Sequence, residues 1–389
     1  MRRIVQMKKH FVVTIVMLLI ATALVGGFLW LRNKEENTAA AGYQPVAEKE
    51  KEPVPTETVV QNTETEPTEA VAQDTEAPLE DVTMIFAGDM LFWTYVREQY
   101  PARGIGAVLS EEMQQEFLNA DIAMVNEEFP FSTRGSKMQD KQYTFRVDPT
   151  YVSLFQDMGV DIVSLANNHI LDYGQEALSD TFTTLDEAEI RYVGAGESLE
   201  RAKEAQIFEV NGKRIAILSA SRVIPVVGWD AQNAVPGVFT TYDGTMLCEE
   251  IRKAKEICDY VVTYVHWGVE YKDTPEEYQR TLAKQYIDAG ADLVLGAHSH
   301  CLQSIEFYNG KPVFYGLGNF CFDAEIAKTL AIKVTVGQDG KSVCTVIPAK
   351  ASGGCTMKME EAEGKDLYQY LEEISNGIAI DDAGIVTEQ

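Results

Sequence analysis

The sequence predicts an α/β fold with mixed sheets, set behind one N-terminal transmembrane helix and a disordered linker. Three observations predict it. From Val82 onward, short apolar runs rich in β-branched and aromatic residues alternate with helical patterns, the order that builds parallel strands covered by helices. Turn signals at Asn211-Gly212, Asn309-Gly310 and Asp339-Gly340 interrupt that order, so antiparallel hairpins join the parallel strands. Before residue 81 the composition changes twice, from an apolar run to a segment almost without large apolar side chains.

The apolar run is FVVTIVMLLIATALVGGFLWL, residues 11–31. At about 1.5 Å per residue it crosses a hydrocarbon layer of about 30 Å with little tilt. Arg2, Arg3, Lys8 and Lys9 precede it, and only Arg32 and Lys34 follow before Glu35 and Glu36. That bias places residues 1–10 in the cytoplasm and the bulk of the chain outside, as a single-pass protein of the cell membrane. The rival reading is a cleaved signal peptide; the run exceeds the usual apolar stretch of about 7–15 residues, and no small-x-small site directly follows. Residues 32–80 are dominated by Glu, Thr, Pro, Ala and Gln. Such a segment buries too little surface to offset its ordering entropy and is expected to be an extended tether.

In the folded part, VTMIFAG (82–88) predicts a buried strand, and a helix near 110–119 opens at Ser110 as N-cap. DIAMVN (121–126) and VDIVSLAN (160–167) are further strands, and a helix follows around 175–188. Residues 207–221 form a hairpin about Asn211-Gly212. Helices near 245–257 and 275–289 lead into the strands DYVVTYVHWG (259–268) and ADLVLGAH (291–298). Two more hairpins follow, one over 305–319 and one about Gln338-Asp339-Gly340. Over 364–377, Leu367, Tyr370, Leu371 and Ile374 share one helical face, which predicts a helix packed on the domain.

The chain carries 60 acidic and 33 basic residues, a formal charge of -27. A field of that sign excludes nucleic acid and anionic lipid as partners held by bulk charge. An anionic substrate needs a local positive feature, such as a bound metal. The six cysteines, at 248, 258, 301, 321, 344 and 355, include no CxxC pair, and their irregular spacing favours free thiols over a disulfide framework.

The informative regularity stands at the strand ends. Successive apolar runs stop at Gly88-Asp89, at Asn126-Glu127-Glu128, at Asn167-Asn168-His169, at His266-Trp267-Gly268 and at His298-Ser299-His300. In α/β sheets ligands bind beyond the carboxyl ends of strands, where loops converge. Each piece has an ordinary alternative: Asp89 as a turn residue or cap, Asn168 as a loop cap, Glu127 and Glu128 as solvated charges, His266 as a polar core residue. Four of the chain's five histidines gather at these ends, however, and together with the oxygen donors they predict a metal site. Carboxylate, amide and imidazole without thiolate suit Mn, Fe, Zn or Co, as one ion or two. In an extended segment, His298 and His300 would face one side.

The stretches GDMLF (88–92), VNEEFPFS (125–132), YTFRVDP (143–149), SLANNHILDYG (164–174), VVTYVHWGVEY (261–271) and DLVLGAHSHCLQSIEFYNGKPVFYGLGNF (292–320) resemble the bacterial CapA/PgsA family. That is the poly-γ-glutamate capsule biosynthesis family, related to the calcineurin-like metallophosphoesterases, and the resemblance covers roughly residues 82–350. It implies a metallophosphoesterase-like αββα sandwich over 81–350, with 351–389 as a C-terminal extension carrying one amphipathic helix. It implies Asp89, Glu127, Asn168, His266, His298 and His300 as metal ligands, and His169 as the non-ligand imidazole that protonates a leaving group or steadies a phosphoryl oxygen. Asp172 would orient the His169 ring, or else serve as a helix N-terminal carboxylate. Arg146 is a candidate for an anionic substrate, with a structural pairing to Asp148 as its alternative. Trp267 is expected to pack beside the site. One departure matters: the wider phosphoesterases have Asp-x-His in the first motif, and here Leu91 stands two after Asp89.

Two functions compete. One is a metal-dependent hydrolase outside the membrane, acting on a phosphoester or related anionic bond through metal-bound hydroxide with His169 as acid. The other is a non-catalytic component that binds the emerging polymer beside polyglutamate synthase and export subunits. A degenerate family member that binds no transition metal is the third.

Overall fold

A computed structural model of the chain describes residues 79–389. The expected membrane span at 11–31 and nearly all of the expected linker lie outside the described residues. Among the described residues no helix is long and apolar enough to cross a membrane.

The principal elements of the first half are β1 (Val82–Met90), α1 (Thr94–Arg103), α2 (Glu111–Leu118), β2 (Ile122–Glu127), α3 (Val152–Met158), β3 (Ile162–Ser164), α4 (Gln175–Glu187) and β4 (Arg191–Val193). Next come β5 (Gln206–Val210), β6 (Lys213–Ser221), α5 (Thr245–Ile257), β7 (Tyr260–His266), α6 (Glu277–Ala289), β8 (Leu293–Ala297), β9 (Ile305–Tyr308) and β10 (Lys311–Phe314). The chain then returns through β11 (Asn319–Cys321), β12 (Ile326–Val336), β13 (Ser342–Ser352), β14 (Cys355–Lys358) and α7 (Glu361–Ile374).

Two mixed sheets result. The first has the order β14-β13-β12-β1-β2-β3-β4, with β11 also paired to β1; the second has the order β9-β10-β8-β7-β6-β5. Strands β1 to β4 are mutually parallel, as are β6, β7, β8 and β10. Most antiparallel pairs are hairpins, β5–β6, β9–β10, β12–β13 and β13–β14, while β12 returns from far along the chain to lie antiparallel to β1. Asn211 and Gly212 sit at φ 48° and 77°, and Asn309 and Gly310 at 52° and 72°. Positive φ at both central residues is the twist that a two-residue hairpin turn requires.

Alternation within each strand sorts the core into layers. Met84 and Phe86 of β1, Met124 of β2, Ile217 of β6, Val262 of β7 and Leu295 of β8 form one buried cluster between the sheets. Ile85, Ala123 and Val163 face the other way, onto Met113, Phe117, Leu154 and Leu178 of the helices covering the first sheet. Ala216, Val261 and Val294 do the same with Leu247, Ile251, Leu282 and Tyr286 over the second sheet. The order is helix, sheet, sheet, helix.

The expected elements recur with shifts of a few residues at their ends. Ser110 caps α2 by accepting a bond from the Met113 amide. Leu367 and Leu371 of α7 are buried on the inter-sheet cluster, with Tyr370 and Ile374 beside them, although the helix stops at Ile374 rather than at Gly377. The sequence pattern does not anticipate α1 or α3. Residue 350, the expected boundary of the sandwich, falls inside β13, and β14 belongs to the same sheet. All six cysteines are free thiols.

Candidate metal centre

Five loops at the carboxyl ends of the parallel strands meet at the edge of the gap between the sheets. Each delivers its side chain by a local device. On β1 the register with β2 slips, so that Phe86 opposes Met124 but Asp89 opposes Asn126. The extra residue of this bulge re-aims Asp89 onto the inner face. Gly88 permits it: a Cβ there would lie 1.9 Å from the Gly318 carbonyl oxygen, the group to which Asp89 donates its amide at 2.9 Å.

On β2, Ile122 and Met124 face inward, and Asn126 continues their side of the strand. Its amide donates to Asp89 Oδ1 at 2.8 Å and lies 3.4 Å from His266 Nδ1. By the same alternation Glu127 follows Ala123 and Val125 onto the helix side, and Glu128 turns back to the site. On β7, Tyr260, Val262 and Tyr264 are inward-facing, and His266 is next in that series.

The His298-Ser299-His300 segment is not extended. His298 has φ 90° and His300 φ 53°, left-handed values that cost non-glycine residues energy and cluster at functional sites. The two rings still converge, with centroids 6.0 Å apart, but through a tight bend rather than through strand alternation. The His298 amide points back to Asp89 Oδ2 at 3.2 Å.

The resulting cluster is buried and short of partners. His266 Nε2 lies 2.6 Å from Asn168 Oδ1 and 3.7 Å from Glu128 Oε1. His300 Nδ1 lies 2.8 Å from Asn319 Oδ1 and 3.3 Å from Asp89 Oδ2, while its Nε2 is 4.0 Å from Glu128. Both Glu128 oxygens and His298 Nδ1 are buried without a hydrogen-bond partner. Burial pushes the Glu128 carboxyl well up, helped by the Asp89 charge. Burial, then the neighbouring imidazole of His300, pushes His298 down to about 4, and His266 is likewise well below the usual range. For His300, burial works against the proton, but the facing Glu128 and Asp89 carboxylates prevail and raise it to about 10.

Beside this cluster stands a second group. Asn167 locks the loop that carries it: its Oδ1 accepts the His169 and Ile170 amides at 3.0 Å each, and its Nδ2 donates to the Glu127 carbonyl at 2.6 Å. His169 Nδ1 is 2.7 Å from Asp172 Oδ2, and Phe145 packs on the ring at 4.3 Å between centroids. Asp172 also accepts the Phe145 amide at 2.6 Å. Lys141 donates to Asp172 and to the Asn168 carbonyl, and its Nζ approaches His169 Nδ1 at 3.0 Å. Burial lowers the Lys141 ammonium's affinity for its proton, and Asp172 opposes that loss. His169, His300, Leu91, Phe145, Glu270 and Tyr271 all line a cleft of about 270 Å³.

Asp89, Asn168, His266, His298 and His300 are thus brought together, with His169 and Asp172 as a pair beside them. Glu127 is not brought in. Its two carboxylate oxygens are buried without a partner, and burial alone raises its pKa; the carboxylate among the imidazoles is Glu128. Arg146 stands outside this cleft, donating to the Arg134 carbonyl at 2.7 Å and stacking 4.1 Å over the Tyr173 ring. Trp267 is fully buried and donates to the Tyr315 carbonyl at 2.9 Å. Sequence reasoning named Asn126 at a strand end without giving it a role, and assigned none to Asn319 or Glu270, which lie within the quoted stretches, or to Lys141. The period of β2 offered a signal for Asn126 and Glu128; the loop residue Lys141 had none.

The donors fit a divalent ion. Glu128, His266 and His298 form one set, and Asp89, Glu128 and His300 another, each with ligand atoms within 4.8 Å of one another. Buried carboxylates and imidazoles lacking partners are costly alone, and a cation placed among them satisfies both kinds.

Comparison with known proteins bears on the same region. The family model described as bacterial capsule synthesis protein PGA_cap matches residues 83–324, which hold every residue of the cluster. The chain is 32% identical over 303 residues to the capsule biosynthesis protein CapA of Bacillus anthracis, covering 75% of this chain and 73% of that one. It is 35% identical over 246 residues to the PGA biosynthesis protein CapA of Bacillus subtilis (strain 168), covering 63% and 64%. A 5'-nucleotidase from Candida albicans SC5314 superposes with a TM-score of 0.39 at 11% identity over 69% of this chain and 52% of its own. That likeness is too slight to carry an argument.

Proposed function

The chain belongs to the bacterial capsule synthesis protein family PGA_cap, and from that premise we propose that its cluster is a metal-dependent hydrolytic centre acting on a phosphoester or related anionic bond. The observation that carries the proposal is the pairing of a partner-poor cluster of carboxylate and imidazole donors with a separate, oriented imidazole at one cleft. Glu128, His266 and His298, with Asn168 beside them, would hold one ion, and Asp89, Glu128 and His300 a second. A divalent ion there supplies the positive charge that draws in an anionic oxygen and makes water nucleophilic at neutral pH.

The chain's own residues do the rest. Asp172 accepts the Nδ1 proton of His169 and fixes the ring, so that Nε2 is the atom that moves a proton at the departing oxygen. Lys141 pairs with the second oxygen of Asp172 beside the same imidazole, which compensates the buried carboxylate charge. Leu91 and Phe145 present apolar wall to the cleft, which keeps water from competing for these bonds.

The proposal extends to a setting: with the apolar run at 11–31 as anchor, the domain would work outside the cell on or near a growing polyglutamate, with synthesis and export subunits as partners. The non-catalytic alternative, a polymer-binding component, is favoured by Leu91, whose side chain offers no ligand where it lines the cleft. The test is metal content and turnover of a panel of phosphomonoesters and phosphodiesters by the full-length protein, beside His169→Ala. Turnover abolished in the variant with metal retained supports hydrolysis. No turnover of any ester, with metal-dependent capture of poly-γ-glutamate, favours the binding component instead.

A further inference from the structure

Glu270 is a carboxylate that neither the strand-end pattern nor the hydrolytic reading uses. It follows His266 by four residues, in a loop that leaves β7 at the cleft. Its carboxylate, a His298 nitrogen and a His300 nitrogen lie within 4.8 Å of one another. It is exposed, whereas the histidines are largely buried, so it approaches the cluster from the open side.

The loop that carries it is held in place. The Tyr271 amide donates to the Ser299 carbonyl at 2.7 Å, tying the residue after Glu270 to the residue between the two histidines. Tyr271 has φ 59°, and its ring lies 5.9 Å from that of His300. Three non-glycine residues with positive φ, Tyr271, His298 and His300, therefore converge on one point. Backbone strain at such residues persists only where surrounding contacts over-determine it.

That point is also where the cluster is deficient. His298 and His300 give only two imidazoles to the set they share with Glu270, and Leu91, which lines the same cleft as Glu270 and His300, adds an alkyl group. His298 is 6% exposed and its Nδ1 has no partner. A buried histidine with an unpartnered nitrogen and an unclaimed carboxylate thus stand within one donor set.

We propose that Glu270 is a further ligand for a divalent cation, closing the His300 side of the centre where Leu91 supplies none. The inference rests on the metal reading of the cluster. A carboxylate at the open rim gives that position an access route from solvent. An ion held with Glu270 and His300 is the more exchangeable, and one held by His266 and Glu128 the tighter, with His298 within reach of both.

The test is titration of the metal-free full-length protein with Mn²⁺, followed by calorimetry and by the electron paramagnetic resonance of free Mn²⁺. Wild type, Glu270→Gln, Glu270→Asp and His266→Ala are compared. The expected result is two binding events in wild type, with the weaker one lowered about tenfold or more in Glu270→Gln, partly restored in Glu270→Asp, and the tighter one lowered in His266→Ala. Two unchanged events in Glu270→Gln overturn the role of Glu270 while leaving the metal centre standing. Absence of Mn²⁺ binding in wild type overturns both.

Discussion

Asp172 Oδ2 lies 2.7 Å from His169 Nδ1, three residues away, and the Asp172 side chain is completely buried. The contact leaves His169 with one nitrogen for chemistry, and the ring lines the cleft. His169→Ala is expected to lower ester turnover by about 10²–10⁴-fold, the usual range for a lost proton-transfer group. Elemental analysis should find metal content unchanged, because His169 is not among the clustered donors. A variant with full turnover would remove His169 from the chemistry.

The Lys141–Asp172 pair matters for stability as well. Their side chains are 12% and 0% exposed. Asp172→Ala leaves a buried ammonium without its counter-charge and is expected to cost about 3–5 kcal/mol in urea unfolding. Adding Lys141→Met should recover much of that loss, since a buried pair replaced on both sides by apolar groups costs little. Additive losses in the double variant would contradict the pairing.

The adjacent glutamates are expected to behave in opposite ways. Glu128→Gln should strip metal from the protein, because Glu128 belongs to two of the donor sets. Glu127→Met should keep the metal and raise stability by about 1–3 kcal/mol, the cost of a buried polar group without partners. Metal content and urea midpoints of the two variants, measured side by side, decide the assignment.

Chelation should destabilise the fold around the cleft. Asp89 and Glu128 are both completely buried within one cluster, so removing an ion leaves buried carboxyl groups without its charge and favours protonation of Glu128. Binding at about 100 times the dissociation constant is worth about 2.7 kcal/mol. Thermal unfolding should shift down with a chelator and return with Mn²⁺; a midpoint indifferent to both would argue against a resident ion.

Much of the fold is legible in the sequence. The Asn-Gly turns at 211–212 and 309–310 and the cap at Ser110 are local signals, and each element they predict is present. Helices Thr94–Arg103 and Val152–Met158 escape such a reading. The first carries Pro101 in its interior and buries only Val96, so it shows little of the periodicity that marks a helix. The second is a short helix of 7 residues, too brief for a periodic pattern to declare itself.

The site is legible in its residue types and less so in its assignments. By itself the sequence determined that apolar runs end in Asp, Glu, Asn and His, and that such ends gather where loops of an α/β sheet meet. Only the tertiary structure decided which of those side chains face one another. A bulge at Gly88 turns Asp89 inward, the phase of Ile122–Glu127 selects Glu128 over Glu127, and left-handed backbone at His298 and His300 bends both rings to one cavity. Lys141 and Glu270 arrive from loops whose positions depend on distant partners. The physical reason is range: propensity and period act over a few residues, whereas face, register and loop placement are set by what the other sheet packs against.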